Sequence, residues 1–239
     1  MKLRSDIDSK RFGFAVGKAF PITAATLEPV LHESRAEGLR LLFARCPADD
    51  WTTVHALERH SFLLMDTLLY LRRSLDGTLP MPSGEALIRA VRPDESDVVS
   101  AVAREAFADY RGHYNTDTRL DQAIVAEIYP SWASNTVTDR TVADEVLVAE
   151  IDGRVIGFGA LKAVGGGVFD GTLYAVAPAF WRRGVYRDLV SASLLWGRNM
   201  GFTVMDYSTQ LTNVAAQRAV TQLGFVPKRS FYTFHLWLD

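Results

Sequence analysis

Residues 173–201, LYAVAPAFWRRGVYRDLVSASLLWGRNMG, decide how the rest of the chain is read. They give a short strand, a basic turn and a long amphipathic helix that opens near Gly184. Val185, Leu189, Ala192 and Trp196 recur on one helical face, which pins the helix to a core and fixes the turn in front of it. The first N–H groups of a helix lack partners of their own, and here they stand beside Arg182, Arg183 and Arg187. Amide donors, the positive end of the helix dipole and three guanidinium groups suit a pyrophosphate, and Gly184 lets backbone come close to it. The same residues also fit a solvated basic turn at a helix start, and only their context separates the two readings.

Downstream, Thr203–Thr209 reads as a strand, Asn213–Leu223 as a helix and 225–238 as an aromatic-rich strand or hairpin. Upstream, strands at 144–151 and 154–162 meet at Asp152-Gly153, a hairpin signal, and a third runs through 168–176. Leu87–Val91 suits a strand, and Asp94 or Ser96 can cap a helix through Val98, Val102 and Phe107. A polar and aromatic loop then leads to helical residues 120–137.

The N-terminal part repeats some of this. A strand at 11–20 is followed by a helix over 23–37, a strand at Leu39–Cys46, a short helix capped by Asp49 or Asp50, and an apolar strand at 62–72. That last strand, apolar at nearly every place, is expected to be covered on both faces, which makes Asp66 conspicuous. Gly38 to Phe62 spans the same separation as Gly201 to Phe225, and both intervals run strand, turn, helix, strand. The Gly, Pro and Ser of GTLPMPSGE, 77–85, read as a linker between an N-terminal domain at 1–76 and a second domain at 86–239.

Composition narrows the function. With 26 Lys and Arg against 28 Asp and Glu, a net charge of −2 and no long basic block, nucleic acid is not an expected partner. No apolar run approaches the ~18 residues that span a bilayer, and MKLRSDIDSK has no signal-peptide core, so a cytoplasmic protein without a membrane partner is expected. A single cysteine, Cys46, excludes an intrachain disulfide and a Cys-rich metal site, and no metal is expected. The chain alone leaves the oligomeric state open, a homodimer included.

The central stretch resembles motif A of the GCN5-related N-acetyltransferases, a strand ending in V-x-P followed by R-x-x-G-x-G/A and a helix that cradles the coenzyme A pyrophosphate. Val176, Pro178 and Trp181-Arg182-Arg183-Gly184-Val185-Tyr186 carry the match, with Trp181 in place of the usual Arg and Tyr186 in place of a small residue. Asn213, Ala216, Gly224 and Phe225 resemble motif B, whose tyrosine position is occupied by Val220. Over nearly the whole chain the sequence is similar to the two-domain TDP-fucosamine acetyltransferases. The segments that carry this are Asp8-Ser9-x-x-Phe12-Gly13, LERHSFLLMD, HYNTDTRLD at 113–121, IYPSW at 128–132 and FYTFHLWL.

The resemblance implies an α/β (α+β) fold with a mixed, mostly antiparallel sheet flanked by helices, the N-terminal domain being a shortened half-copy. It implies acetyl-CoA bound by Ala175, Val176, Arg182, Arg183, Gly184, Val185, Tyr186, Arg187 and Asn213, and transfer of its acetyl group to the amine of a TDP-amino sugar. The N–H of Ala175 or Val176 would face the thioester oxygen, and Asp66 would accept the amine proton, unless it only ends a strand or pairs with an arginine. With no phenol at Val220, Tyr207, Tyr232 and His235 remain as candidate acids for the leaving sulfur, unless His235 only packs in its apolar strand or solvent protonates the thiolate, and His113, Tyr114 and Tyr232 remain as substrate contacts. Other small amines, such as an aminoglycoside or a polyamine, and a non-catalytic acyl-CoA-binding module are the competing readings.

Overall fold

The computed structural model describes residues 2–238. Among the described residues, nine strands form one sheet in the order β1-β2-β9-β3-β8-β7-β6-β5-β4. These are β1 Val16–Ala19, β2 Leu41–Pro47, β3 Leu63–Ser74, β4 Leu87–Ala90, β5 Glu145–Ile151, β6 Arg154–Gly165, β7 Val168–Val176, β8 Val204–Gln210 and β9 Val226–Trp237. The pairings are antiparallel except β1 with β2 and β7 with β8. This is the mixed, mostly antiparallel sheet that was expected.

Alternation along the strands sends side chains to two helical layers. Leu42, Ala44 and Cys46 of β2 face α2 (Ala24–Ala36) and α3 (Trp51–Arg59), and on the same side Leu71, Met205 and Tyr207 pack with α8 (Val185–Asn199) and α9 (Val214–Gln222). Opposite them, Leu41 and Phe43 meet Phe12 of α1 (Asp6–Phe12), Val125 of α6 (Gln122–Ala126) and Ile128 of α7 (Ile128–Thr138). Further along that face, Leu173 and Ala175 pack with α4 (Ser96–Ala106) and α7.

β3 comes from the N-terminal part yet lies between β8 and β9, paired to both. The sheet is therefore undivided at 77–85, and that segment is docked rather than free. Leu79 is in the main core, and Asp188 of α8 accepts bonds from the Ser83 N–H at 2.8 Å and hydroxyl at 2.6 Å. The expected strand at 11–20 is mostly helix and turn: Ser5 caps α1, Gly13 closes it at φ +74°, and only Val16–Ala19 is extended. The cover expected over both faces of 62–72 is missing at its start, where Leu63 and Leu64 are 60% and 53% exposed. Here β3 has run past Gln210, the end of β8, and pairs only with β9.

The two intervals of equal length, 38–62 and 201–225, share several bonds. Gly38 and Gly201 both take positive φ, and Leu39 N–H to Ser34 C=O (2.9 Å) matches Phe202 N–H to Gly197 C=O (2.9 Å). Asp50 caps α3 through the Thr53 amide, as Asn213 caps α9 through that of Ala216. Phe62 and Phe225 each donate an amide to the end of the preceding helix, 3.0 and 3.1 Å, and are buried. Their strands interleave in the sheet, β2 beside β9 and β3 beside β8. Only one has an open helix start: Thr23 and Thr26 close the N-terminus of α2 with a capping box, whereas Gly184 puts no capping side chain on α8.

Candidate active site

β7 and β8 pair only over Val168–Gly171 and Val204–Tyr207, although β7 continues to Val176 and β8 to Gln210. Beyond the last pair the strands part, and the α8 N-terminus stands beside the gap. Ala177 donates its amide to Ile156 of β6 at 2.8 Å, and Val176 lies opposite Gly157. By alternation, the Val176 N–H and C=O turn away from β6 into the gap, and the Ala175 amide turns toward β6. Of the two candidates for facing a thioester, Val176 is the one the ladder leaves open. Its carbonyl accepts the Trp181 indole N–H at 2.7 Å, so Trp181 buttresses the strand end where the motif usually has an arginine.

Gly184 has φ +84°, a conformation that suits glycine, and nothing lies within 4 Å of where a Cβ would be. The first helical bond is Asp188 N–H to Gly184 C=O at 3.0 Å, which leaves the amides of Val185, Tyr186 and Arg187 without a partner among the described residues. Arg182, Arg183 and Arg187 are exposed around them. Open amides, an unfilled cradle and three cations fit the pyrophosphate of a coenzyme A thioester.

Tyr186 does not block this cradle, because its side chain turns inward. Its hydroxyl lies 2.5 Å from that of Tyr207, with the Tyr174 ring 5.8 Å from Tyr186 and 6.0 Å from Tyr207. Burial, with the neighbouring phenol, drives Tyr186 well above the usual tyrosine range, and burial raises Tyr207, so both hydroxyls stay protonated. Val220 is buried in the core and carries no proton to give. Asn213 is spent on structure, its Oδ1 on the α9 cap and its Nδ2 on Thr209 at 3.1 Å.

The other face of the sheet holds Asp66. It lies opposite Thr233 beside a bulge in β3, and its Oδ2 accepts the His113 N–H at 3.1 Å and the Gln210 amide at 3.4 Å. Its Oδ1 is buried with no partner. A carboxylate oxygen in that condition calls for a donor that the chain does not supply.

His113 opens the short helix α5 (His113–Thr116) and its Nδ1 lies 2.9 Å from His235 Nε2. His235 Nδ1 lies 2.7 Å from Asp117 Oδ2. The expectation that His235 gives a proton to the leaving sulfur does not hold, since the residue is buried and both its nitrogens are engaged. Tyr232 is corrected too: alternation puts it on the opposite face from Asp66, against the α2 and α3 cluster. Tyr114 is half-buried, and its hydroxyl donates to Asp8 Oδ1 at 3.1 Å, which ties the loop to α1. Asp117, Gln210, Tyr174 and the pairing of Tyr186 with Tyr207 were not singled out from the sequence. Only Asp117 carried a signal, its place in the HYNTDTRLD loop.

Among the described residues no His, Cys, Asp or Glu cluster is placed to hold a metal ion, and no helix is long and apolar enough to cross a membrane. The chain is 26% identical over 201 residues to the spore coat polysaccharide biosynthesis protein SpsD of Bacillus subtilis (strain 168). That match covers 82% of this chain and 66% of the relative, so the chain spans just under two thirds of the relative's length. The fold is similar to a GCN5-related N-acetyltransferase from Sphaerobacter thermophilus, with a TM-score of 0.64, 14% identity, and 89% of this chain and 68% of that one covered. It is also similar to a GCN5-related N-acetyltransferase from Kribbella flavida, TM-score 0.62, 16% identity, 92% and 80% covered. A tandem GNAT protein from the clavulanic acid biosynthesis pathway gives a TM-score of 0.62 at 14% identity, with 90% and 69% covered. A family model matches residues 103–225, more than half of the chain, from α4 through the parted strands to the end of α9: the chain belongs to the acetyltransferase (GNAT) family, whose members use acetyl-CoA.

Proposed function

We propose that this protein moves the acetyl group of acetyl-CoA to the amino group of a nucleotide-linked amino sugar of the TDP-4-amino-4,6-dideoxyhexose type, in a ternary complex. The observation that carries the reading is the open Val176 amide in the gap between β7 and β8 with the α8 N-terminus beside it, and the unpartnered Asp66 Oδ1 on the opposite face of the sheet. The sugar class is supported by the similarity to a polysaccharide biosynthesis protein. Residues 1–76 are the acceptor-side support, since they supply Asp66.

Acetyl-CoA brings an activated acyl group as a thioester. The α8 amides and Arg182, Arg183 and Arg187 hold its pyrophosphate. The Val176 N–H faces the negative charge that develops on the thioester oxygen. Asp66 binds the acceptor's ammonium through Oδ1 and takes one of its protons, which frees the nitrogen lone pair for attack. Tyr207, hydrogen-bonded to Tyr186, gives a proton to the departing sulfur, and the pair divides the residual charge.

The test is thiol release from acetyl-CoA across TDP-4-amino sugars, aminoglycosides and polyamines, with the product identified by mass. Turnover confined to TDP-amino sugars and lost in Asp66→Asn is the expected result. Turnover of another amine class would overturn the sugar assignment. Acetyl-CoA binding without turnover of any amine would favour an acyl-CoA-binding module, a reading that rests on Val220 at the motif tyrosine position.

A further inference from the structure

Asp117, His235 and His113 form a line that the function above does not use. Asp117 is buried and accepts from His235 Nδ1 at 2.7 Å, the Trp237 indole at 3.0 Å and the Arg119 amide at 3.0 Å. Burial pushes its carboxyl up, but these bonds more than offset that and hold it below the usual carboxylate range. It is an anion, so it only accepts, and His235 Nδ1 must carry a hydrogen. Burial lowers His235 and lowers His113 much further, with the charges of Arg45 and Lys18 adding to the effect on His113. Both rings are therefore neutral at pH 7, with one hydrogen each. His235 Nε2 is left as an acceptor, the hydrogen between the rings belongs to His113 Nδ1, and His113 Nε2 carries a bare lone pair. That nitrogen has no hydrogen-bond partner among the described residues, on a half-buried ring held against Phe43 and Tyr114.

Proton balance calls for such a group. An ammonium arrives with three N–H bonds and the amide product keeps one. One proton leaves before attack, freeing the lone pair, and the second leaves as the C–N bond forms and the C–S bond breaks. Asp66 has one oxygen without a donor and takes one of them. The geometry points to His113 Nε2 as the acceptor of the other, a catalytic residue, with His235 and Asp117 as positioning residues that fix its tautomer and neutralise the imidazolium it becomes. The charged and titratable groups around the ring are Asp66 of β3, His235 of β9, Arg45 of β2, Lys18 of β1 and Tyr114 beside it. This rests on the acetyltransferase reading above.

Two measurements test it. In histidine-15N-labelled protein, two-bond 1H–15N spectra at pH 7 should show both rings with hydrogen on Nδ1 and His113 Nε2 unprotonated; a hydrogen on His113 Nε2 overturns the proposal without reference to activity. In kinetics with an acceptor from the panel, His113→Gln, whose side-chain amide can still donate to His235, should lower kcat roughly a hundredfold, with KM for acetyl-CoA unchanged and the acid limb of the kcat profile lost. Asp117→Asn should move that limb to lower pH, because the imidazolium loses its counter-charge. His113→Gln within threefold of wild type overturns the assignment alone. Failure of the wild type to turn over any amine overturns the reading above and the catalytic role with it. If His113→Gln does not fold, His235→Gln serves in its place, and an unmoved acid limb in that variant overturns the proposal.

Discussion

The hydroxyls of Tyr186 and Tyr207 meet at 2.5 Å under the point where β7 and β8 part, one from the first turn of α8 and the other from the last paired residue of β8. Tyr186 stands where the motif usually has a small residue, yet it leaves the phosphate cradle clear and acts as partner to the phenol beside the gap. Tyr207→Phe should lower kcat by roughly a hundredfold if that phenol protonates the sulfur. Tyr186→Phe should have a smaller effect, because the Tyr207 hydroxyl remains. Steady-state rates with a thiol-reactive dye decide it, and equal losses in both would point to a shared structural role.

The open amides of α8 make acetyl-CoA affinity depend on charge. Replacing Arg183 and Arg187 together by Ala should raise KM for acetyl-CoA roughly tenfold or more, with kcat little changed and the salt dependence of KM reduced. Gly184→Ala should raise it as well, because alanine at φ +84° costs about 1 kcal/mol of backbone strain although the space is open. Competition by dephospho-CoA, which keeps the pyrophosphate, compared with 4′-phosphopantetheine, which lacks it, would show whether the pyrophosphate is the group being read.

Ser83 and Asp188 clamp the 77–85 segment to α8. Asp188→Ala strands the Ser83 N–H and hydroxyl, and should lower stability by about 2 kcal/mol. Limited proteolysis should then cut within 77–85, where the wild type resists. An unchanged digest would mean that the burial of Leu79 alone holds the segment.

Arg89 donates to both Glu95 and Glu150, and its hydrogen bonds hold the Glu95 carboxyl at about 2 against an ordinary 4.5. A carboxyl depressed by folding contributes stability that is complete above its unfolded value and fades as pH falls toward its folded one. Unfolding free energy should therefore drop by up to about 3 kcal/mol between pH 4.5 and 2 from this group. Chemical denaturation of wild type and Glu95→Gln across that window should converge at the acid end.

The order of elements was legible because apolar periodicity was strong and some caps were marked: Asp50, one of two candidates, caps α3, and α9 runs within the 213–223 that its pattern outlined. The α8 turn was legible because a glycine and three arginines stand beside one helix start. What lay outside the sequence was lateral order. Nothing in 62–72 says that it pairs with strands from the far end of the chain, so a glycine- and proline-rich segment read as a linker, whereas it is a docked crossing. For the same reason the sequence left His235 open between an acid and a packing residue. Its partners Asp117 and His113 sit 118 and 122 residues away, and only the sheet brings them to it. Tyr232 and Thr233 differ by one place, and the strand's pleat decides which face each takes.

The wedge of β3 between β8 and β9 bears on how the chain is made. Arg72 of β3 must find Asp206 of β8, 134 residues later. Until then β3 is an apolar ribbon with two unpaired edges, held out of its place while most of the protein is synthesised. Closure of such distant contacts is slow, so the last strands to appear act as the latch for the first. The stretch 86–239 on its own would present β8 and β9 with a slot the width of one strand, and it is expected to aggregate or to draw that strand from a neighbouring chain.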